Sequence, residues 1–212
     1  MKTRCAYCGA SNACDHDHVI PRCLYPASKA TSKIQRLTVP ACEPCNKSWS
    51  ADEAHFRNVL LLAGEPNDAV HELWNTKTAR SFQQVDGKKR LMDLAEMMKP
   101  TPTPEGERYI IYPAKDERVL RVVRKVIRGL CHYHKVLTSV PETRVWVDVL
   151  KYVVPQAFLD EMPIHHREQD IVEYRFQVLN EEGIHSAWLL TFFERRTFIG
   201  IVSMSEEGFP QM

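Results

Sequence analysis

The chain has 212 residues, 44% hydrophobic and 26% charged, with 28 Lys and Arg set against 27 Asp and Glu for a net charge of +1. That balance is that of an ordinary globular protein, and no apolar run is long enough to span a bilayer. Seven cysteines, an odd number with no charged-then-apolar leader ahead of them, argue against a secreted disulfide framework and for metal binding in a cytoplasmic protein.

Residues 1–50 read as short segments punctuated by Gly9, Ser11, Asn12, Pro21, Pro26 and Pro40. Two Cys-x-x-Cys pairs, Cys5/Cys8 and Cys42/Cys45, bracket this stretch. Four thiolates in two tight pairs can close a tetrahedral Zn²⁺ site and lend a core to a segment that has little of its own. Cys14, Cys23 and Cys131 lie outside the pairs and are expected to be small buried apolar residues. Between the pairs runs Asp15-His16-Asp17-His18. On a strand, His16 and His18 would project to one face and the two aspartates to the other.

From Ala51 the pattern turns helical, with Phe56, Val59, Leu60 and Ala63 on one stripe up to Gly64. Further helices are expected over Asn67 to Asn75 and over Lys88 to Lys99, where Pro100 follows. Thr101-Pro102-Thr103-Pro104-Glu105-Gly106 has proline at alternate positions and reads as an extended linker. Beyond it, Arg108 to Tyr112 reads as a strand and 115–135 as a long amphipathic helix. Arg144 to Val154, Ile171 to Leu179, 186–193 and 197–203 follow as strands, the last two joined through Glu194-Arg195-Arg196 as a hairpin.

Charge is unevenly spread. Residues 115–135 hold Lys115, Arg118, Arg121, Arg124, Lys125, Arg128 and Lys135 against Asp116 and Glu117, while acidic residues predominate beyond 136. With Val119, Leu120, Val122, Val123, Val126, Ile127 and Leu130 assigned to burial, Arg121, Arg124, Lys125 and Arg128 are left for an outer basic face suited to a duplex backbone or simply to solvent. Cys131-His132-Tyr133-His134 and His165-His166 lack a second ligand pair at metal-binding spacing and are read as core or surface residues. Trp146, Trp188, Phe192 and Phe193 are read as sheet-packing aromatics.

Taken together, Cys-x-x-Cys-Gly at Cys5 to Gly9, Asp17-His18-Val19-Ile20-Pro21-Arg22, and Cys42-x-x-Cys45-Asn46-Lys47 resemble the zinc-containing HNH endonuclease family over about residues 1–50. The resemblance implies a ββα-metal fold, with structural Zn²⁺ on Cys5, Cys8, Cys42 and Cys45. It gives His18 the role of general base toward the attacking water. Asp17 and Asn46 become oxygen ligands of a catalytic divalent ion, Mg²⁺ or Mn²⁺. The continuation Val-Ile-Pro selects His18 over His16. The chain departs from the family at Leu37, where an asparagine usually fixes the loop that carries the base; Gln35 or Thr38 are the neighbours able to hydrogen-bond. Arg22, Lys33, Arg36 and Lys47 are the expected phosphate contacts, with Lys29 beside them.

The resulting expectation is an α+β protein in three parts. They are a zinc-stabilised HNH module over 1–60, a helical connector over 61–100, and an α+β domain with an antiparallel sheet over 107–212, serving target recognition, dimerisation or partner binding. It would hydrolyse phosphodiester bonds in nucleic acid, with double-stranded DNA as the expected partner and a homodimer needed to cut both strands. Two alternatives stand beside it: an inactive zinc-dependent nucleic-acid-binding or adaptor protein, and a zinc module serving a protein-binding domain.

Overall fold

The computed structural model describes residues 3–30, 36–63, 66–103, 106–111, 113, 116–168, 170–205 and 207–209. Lys33, Gln35, Gly64 and Lys115 lie outside these residues, as do the side chains of Lys29 and His166. The fold is mixed α and β: a cysteine-bearing hairpin, a helical middle, and an antiparallel five-stranded sheet.

The hairpin pairs β1 (Asp15–His18) with β2 (Thr38–Ala41), Asp17 opposite Val39. After it come the one-turn helix α2 (Glu43–Lys47) and then α3 (Ser50–Leu61), while a four-residue turn of helix, α1 (Ala27–Ala30), lies between the strands. Asn67 caps α4 (Asp68–Leu73), its Oδ1 accepting from Val70 N at 3.0 Å. That helix does not stop near Asn75 as expected. It runs on through a π-helical turn, Trp74–Thr78, into α5 (Ala79–Phe82), because neither proline nor glycine interrupts 68–82. α6 (Gly87–Met97) follows, as the sequence pattern required.

Of the segment read as a linker, Thr101 to Thr103 end β3 (Met98–Thr103) and Gly106 opens β4 (Gly106–Ile111), two strands paired antiparallel, while Pro104 and Glu105 lie outside the described residues. Pro100 and Pro102 alternate, so both missing N–H groups fall on the same side of β3. A strand in a two-stranded sheet has one such open side to give.

The sheet has the order β5-β9-β8-β7-β6, from β5 (Val145–Val149), β6 (Ile164–Glu168), β7 (Val172–Glu181), β8 (Ile184–Phe192) and β9 (Arg196–Ser203). β6 carries His165 and His166 and was not anticipated; its sequence IHHRE has no apolar alternation to reveal it. β5 ends at Val149 rather than Val154, and 150–155 leads irregularly into the short helix α8 (Gln156–Glu161). Glu182 and Gly183, with φ of 50° and 81°, form the two-residue turn between β7 and β8.

α7 (Glu117–Tyr133) lies between the sheet and the hairpin. Two glycines permit the close approach. A Cβ on Gly200 of β9 would sit 2.2 Å from Ile127 Cδ1, and one on Gly129 of α7 would sit 3.0 Å from Val19 Cγ1. One cluster of buried side chains therefore runs from Cys5 and Val19 through Phe56, Val122 and Val126 to Trp188 and Phe198. The three-part division read from the sequence follows order along the chain; in the packing, α7 belongs to both ends.

Candidate metal centre and histidine site

The two cysteine pairs meet because the chain between them folds back. Gly9, at φ 73°, turns the first pair, with Gly9 N donating to Cys5 O at 2.9 Å. Ala6 N donates to Pro40 O at 2.9 Å, which lays that turn against β2 immediately before the second pair. The sulfurs of Cys5, Cys8, Cys42 and Cys45 all lie within 4.8 Å of one another, and among the described residues no other such group of His, Cys, Asp or Glu ligands forms. Zn–S bonds of about 2.3 Å in a tetrahedron need sulfurs about 3.8 Å apart. Cys8 Sγ and Cys42 Sγ are 3.7 Å apart. The donor set therefore fits a structural ion such as zinc.

The electrostatics of the thiols are in keeping with a bound cation. Burial pushes the Cys5 thiol up, but the backbone amides of Cys8, Cys42 and Tyr7 outweigh it and bring it down to about 7. Burial and hydrogen bonding to Cys42 push Cys45 well above the ordinary thiol range, with the neighbouring Cys5 and Cys8 charges adding to it. A divalent ion at the centre removes that opposition among thiolates.

Of the other cysteines, Cys131 is buried as expected, Cys23 is half-buried and Cys14 is exposed. It precedes β1, and what is held there is its backbone, through Cys14 N to Ala41 O at 3.2 Å.

β1 forms as a strand, exposed at Asp15 and His16, buried at Asp17 and half-buried at His18. Asp17 is turned inward at 8% exposure. Its Oδ2 accepts from the Tyr7 hydroxyl at 2.8 Å and pairs with the Lys125 ammonium at 2.8 Å. Burial, and then the Asp17 charge, hold the Tyr7 hydroxyl well above its ordinary pKa, so it remains a donor. Among the described residues Asp17 Oδ1 has no hydrogen-bond partner.

Lys125 is fully buried and also reaches Glu53 Oε1 of α3 at 2.6 Å and the backbone carbonyl of His18 at 3.1 Å. One ammonium thus ties β1, α3 and α7 together. Arg128 is likewise internal, donating to Tyr7 O at 2.7 Å and Val140 O at 2.6 Å. Arg124 pairs with Glu117 and Glu142, and Arg121 with Asp52 at 2.6 Å. The outer basic face expected of this helix is accordingly not there: Lys125 and Arg128 point inward, and Arg121 and Arg124 are neutralised. The clue was available, since Lys125 stands three residues after Val122 and four before Gly129, inside the apolar arc.

His18 is half-buried. Burial lowers its pKa below the usual 6.5, and the Arg22 and Arg36 charges lower it further. His16 is exposed. Asn46, at the end of α2, donates its Nδ2 to Asp15 Oδ2 at 2.7 Å, which leaves its amide oxygen turned away from that contact. Asp15, not singled out from the sequence, is therefore the residue that orients Asn46. Among the described residues Asp17 and Asn46 have different hydrogen-bond partners.

Leu37 lies immediately before β2. Val19 N donates to Leu37 O at 3.0 Å, and the side chain packs on the core. Thr38, the other neighbour considered, is paired opposite His18.

Of the expected phosphate contacts, Arg22 is exposed and Arg36 stacks over the Tyr25 ring at 4.1 Å. Lys47 is exposed and paired with Glu43 at 2.5 Å. The helical middle adds Lys77, whose Nζ donates to Tyr25 O at 2.6 Å. Burial lowers its pKa, and the charges of Arg57, Arg36 and Arg22 act in the same direction. Arg22 and Arg36 thus lie near both His18 and Lys77. Lys77 could not be seen from its sequence neighbours.

His134 bonds through Nε2 to the Tyr174 hydroxyl at 2.7 Å, and His165 stacks on Phe176 at 3.9 Å. Both are packing residues, as expected. Trp188, Phe192 and Phe193 are buried and Trp146 half-buried. Among the described residues no helix is long and apolar enough to cross a membrane. Comparison of the chain with protein-family models, with curated proteins and with solved structures finds no match.

Proposed function

We propose that this chain is a metal-dependent endonuclease of the HNH kind, acting on phosphodiester bonds of nucleic acid, with double-stranded DNA as the favoured substrate. The observation that carries the reading is the state of Asp17 and His18. The carboxylate has one oxygen fixed by Tyr7 and Lys125 and the other without a hydrogen-bond partner among the described residues. The next residue is a half-buried imidazole kept neutral by burial and by flanking arginines. A neutral imidazole next in the chain to a carboxylate with an open oxygen supplies the two groups that a general base and a hard-cation ligand require.

In this mechanism Cys5, Cys8, Cys42 and Cys45 hold zinc and keep the β1–β2 hairpin and α2 together. Asp17 and Asn46 offer the oxygens that would hold Mg²⁺ or Mn²⁺. Such an ion supplies charge stabilisation to the phosphoryl oxygens and the leaving oxyanion. His18 accepts the proton of the attacking water. Arg22, Arg36 and Lys77 hold the neighbouring phosphates.

A second reading has an observation of its own. Lys125 neutralises Asp17 at 2.8 Å and Leu37 stands where the family has asparagine, both in keeping with a module that binds nucleic acid without cutting it. Plasmid nicking separates the two. The nuclease reading expects cleavage in Mg²⁺ or Mn²⁺, none in EDTA, and none from a folded His18→Ala variant. Salt-sensitive binding without any cleavage would leave the second reading standing.

A further inference from the structure

A cavity of about 380 Å³ is lined by α3 and α6, with Arg118 of α7. Its polar lining includes Arg57, Asn58, Ser81, Gln84, Arg90 and Arg118. Arg57 is the anomaly. It is 9% exposed, yet its Nε and Nη2 both donate to a single amide oxygen, Asn58 Oδ1, at 3.1 and 2.8 Å. No carboxylate pairs with it among the described residues, and its Nη1 keeps access to solvent.

The other two arginines buried among the described residues have more acceptors. Arg128 has the carbonyls of Tyr7 and Val140 and the carboxylate of Glu142 at 3.7 Å. Arg144, like Arg57 without a carboxylate among the described residues, has the carbonyls of Ser203 and Met204, two acceptors where Arg57 has one. Burying a guanidinium is costly unless its donors are met and its charge is balanced. At Arg57 the charge is unbalanced, and the nearby Arg90 charge opposes it further.

Arg90 is held by Ser81 O at 2.6 Å and Arg118 by Asp116 Oδ1 at 3.4 Å. Two acidic groups bear on the cavity: Asp93 in its lining, and Asp116, occupied by His55 at 2.5 Å and by Arg118. Positive charge therefore exceeds negative.

We infer that this cavity is a binding site for a phosphate-bearing ligand, held by the guanidinium groups of Arg57, Arg90 and Arg118. Planar forks match phosphate oxygens two at a time, and a group with three free oxygens serves several forks where a carboxylate serves one. The volume exceeds what a bare phosphate fills and lies within the roughly 300–1,000 Å³ of small-molecule sites, so the phosphate carries an organic substituent of nucleoside size. The source is a free nucleotide or the backbone of a nucleic acid.

Calorimetric titration of the zinc-loaded full chain in magnesium-free buffer tests this. The probes are adenosine 5′-monophosphate, inorganic phosphate, and a DNA oligonucleotide without terminal phosphates. Saturable binding of the nucleotide, tighter than that of inorganic phosphate and weakened about tenfold or more by Arg90→Gln and by Arg57→Gln, supports a free-nucleotide site. Oligonucleotide binding with the same sensitivity to Arg90→Gln supports a backbone site. Arg90→Gln carries the test if Arg57→Gln does not fold. Absence of saturable binding by every probe, or affinities unchanged in Arg90→Gln, overturns the inference. Failure to nick plasmid bears on the endonuclease reading alone.

Discussion

The β1–β2 hairpin has strands of four residues each, whereas the sheet β5–β9 has five strands of five to ten. A two-stranded hairpin is marginal on its own, and three or more strands with an apolar face are not. The sheet satisfies that condition with Tyr174, Trp188, Leu190, Phe192 and Phe198, all buried against α7 and α3. The hairpin has instead the cysteine cluster, the Tyr7 and Val19 contacts at Gly129, and a buried ionic knot. One end of the molecule is held by apolar area and the other by ligands and charge. The two ends should therefore fail under different insults.

Metal removal is the strongest way to separate them. Structural zinc in small modules is worth on the order of 10 kcal/mol of apparent folding free energy. Cys42→Ser, or chelation by a strong zinc ligand, is expected to unfold the hairpin and α2 while β7, β8 and β9 keep their pairing. Amide hydrogen exchange reads this directly. Protection should collapse over residues 5–47 and persist over 172–203; equal loss in both stretches would mean that the ends are one cooperative unit.

The ionic knot is the next contrast. Lys125 is fully buried between Asp17 and Glu53, so Lys125→Met leaves two carboxylates facing each other without a counter-charge. Breaking a buried pair in this way costs about 3–5 kcal/mol. Denaturant unfolding should show that loss, and adding Asp17→Asn and Glu53→Gln to the same chain should recover a good part of it. An unperturbed midpoint for Lys125→Met alone would mean that the knot is decorative.

What could be read from the sequence divides along the same line. The sheet strands β7, β8 and β9, the helix α7 and the cysteine cluster were legible because alternation, helical spacing and Cys-x-x-Cys are local patterns. β6 was not, since Ile164 is the sole apolar residue in IHHRE. The proline-alternating stretch misled because extended backbone in a linker and in an edge strand look alike; only the partner β4 tells them apart. At the site, Asp17 and His18 could be named from their neighbours. Tyr7, Glu53 and Lys125 could not, because their meeting joins positions up to 118 residues apart (125 − 7), which no spacing rule spans.

A smaller effect is expected where α7 begins. Asp116 caps the helix through Arg118 N at 3.1 Å and pairs with His55 at 2.5 Å. Burial alone would raise its pKa, but the His55 hydrogen bond and charge, with Arg118, bring it from 3.8 down to about 2. The folded value lies below the unfolded one, so the contribution is complete above about pH 4 and is lost as pH falls toward 2. Asp116→Asn should cost about 2 kcal/mol at neutral pH and almost nothing near pH 2. A difference that did not shrink with acid would assign the cost to the cap rather than to the charge.

Asn67 offers the finest test of how the helical middle is joined to the sheet. Its Oδ1 caps α4, and its Nδ2 donates to Asp170 O at 2.9 Å and Phe193 O at 3.1 Å in the loops beside β7 and β8. Loss of a cap costs about 1 kcal/mol, which is the expectation for Asn67→Ala. Asn67→Asp separates the two roles, since aspartate caps as well as asparagine but presents an oxygen to two carbonyls. If the cap alone matters, Asn67→Asp should match the parent chain in thermal unfolding. If the tether to the sheet matters, it should fall at least as far as Asn67→Ala, because two carbonyls then face an anion where they had a shared donor.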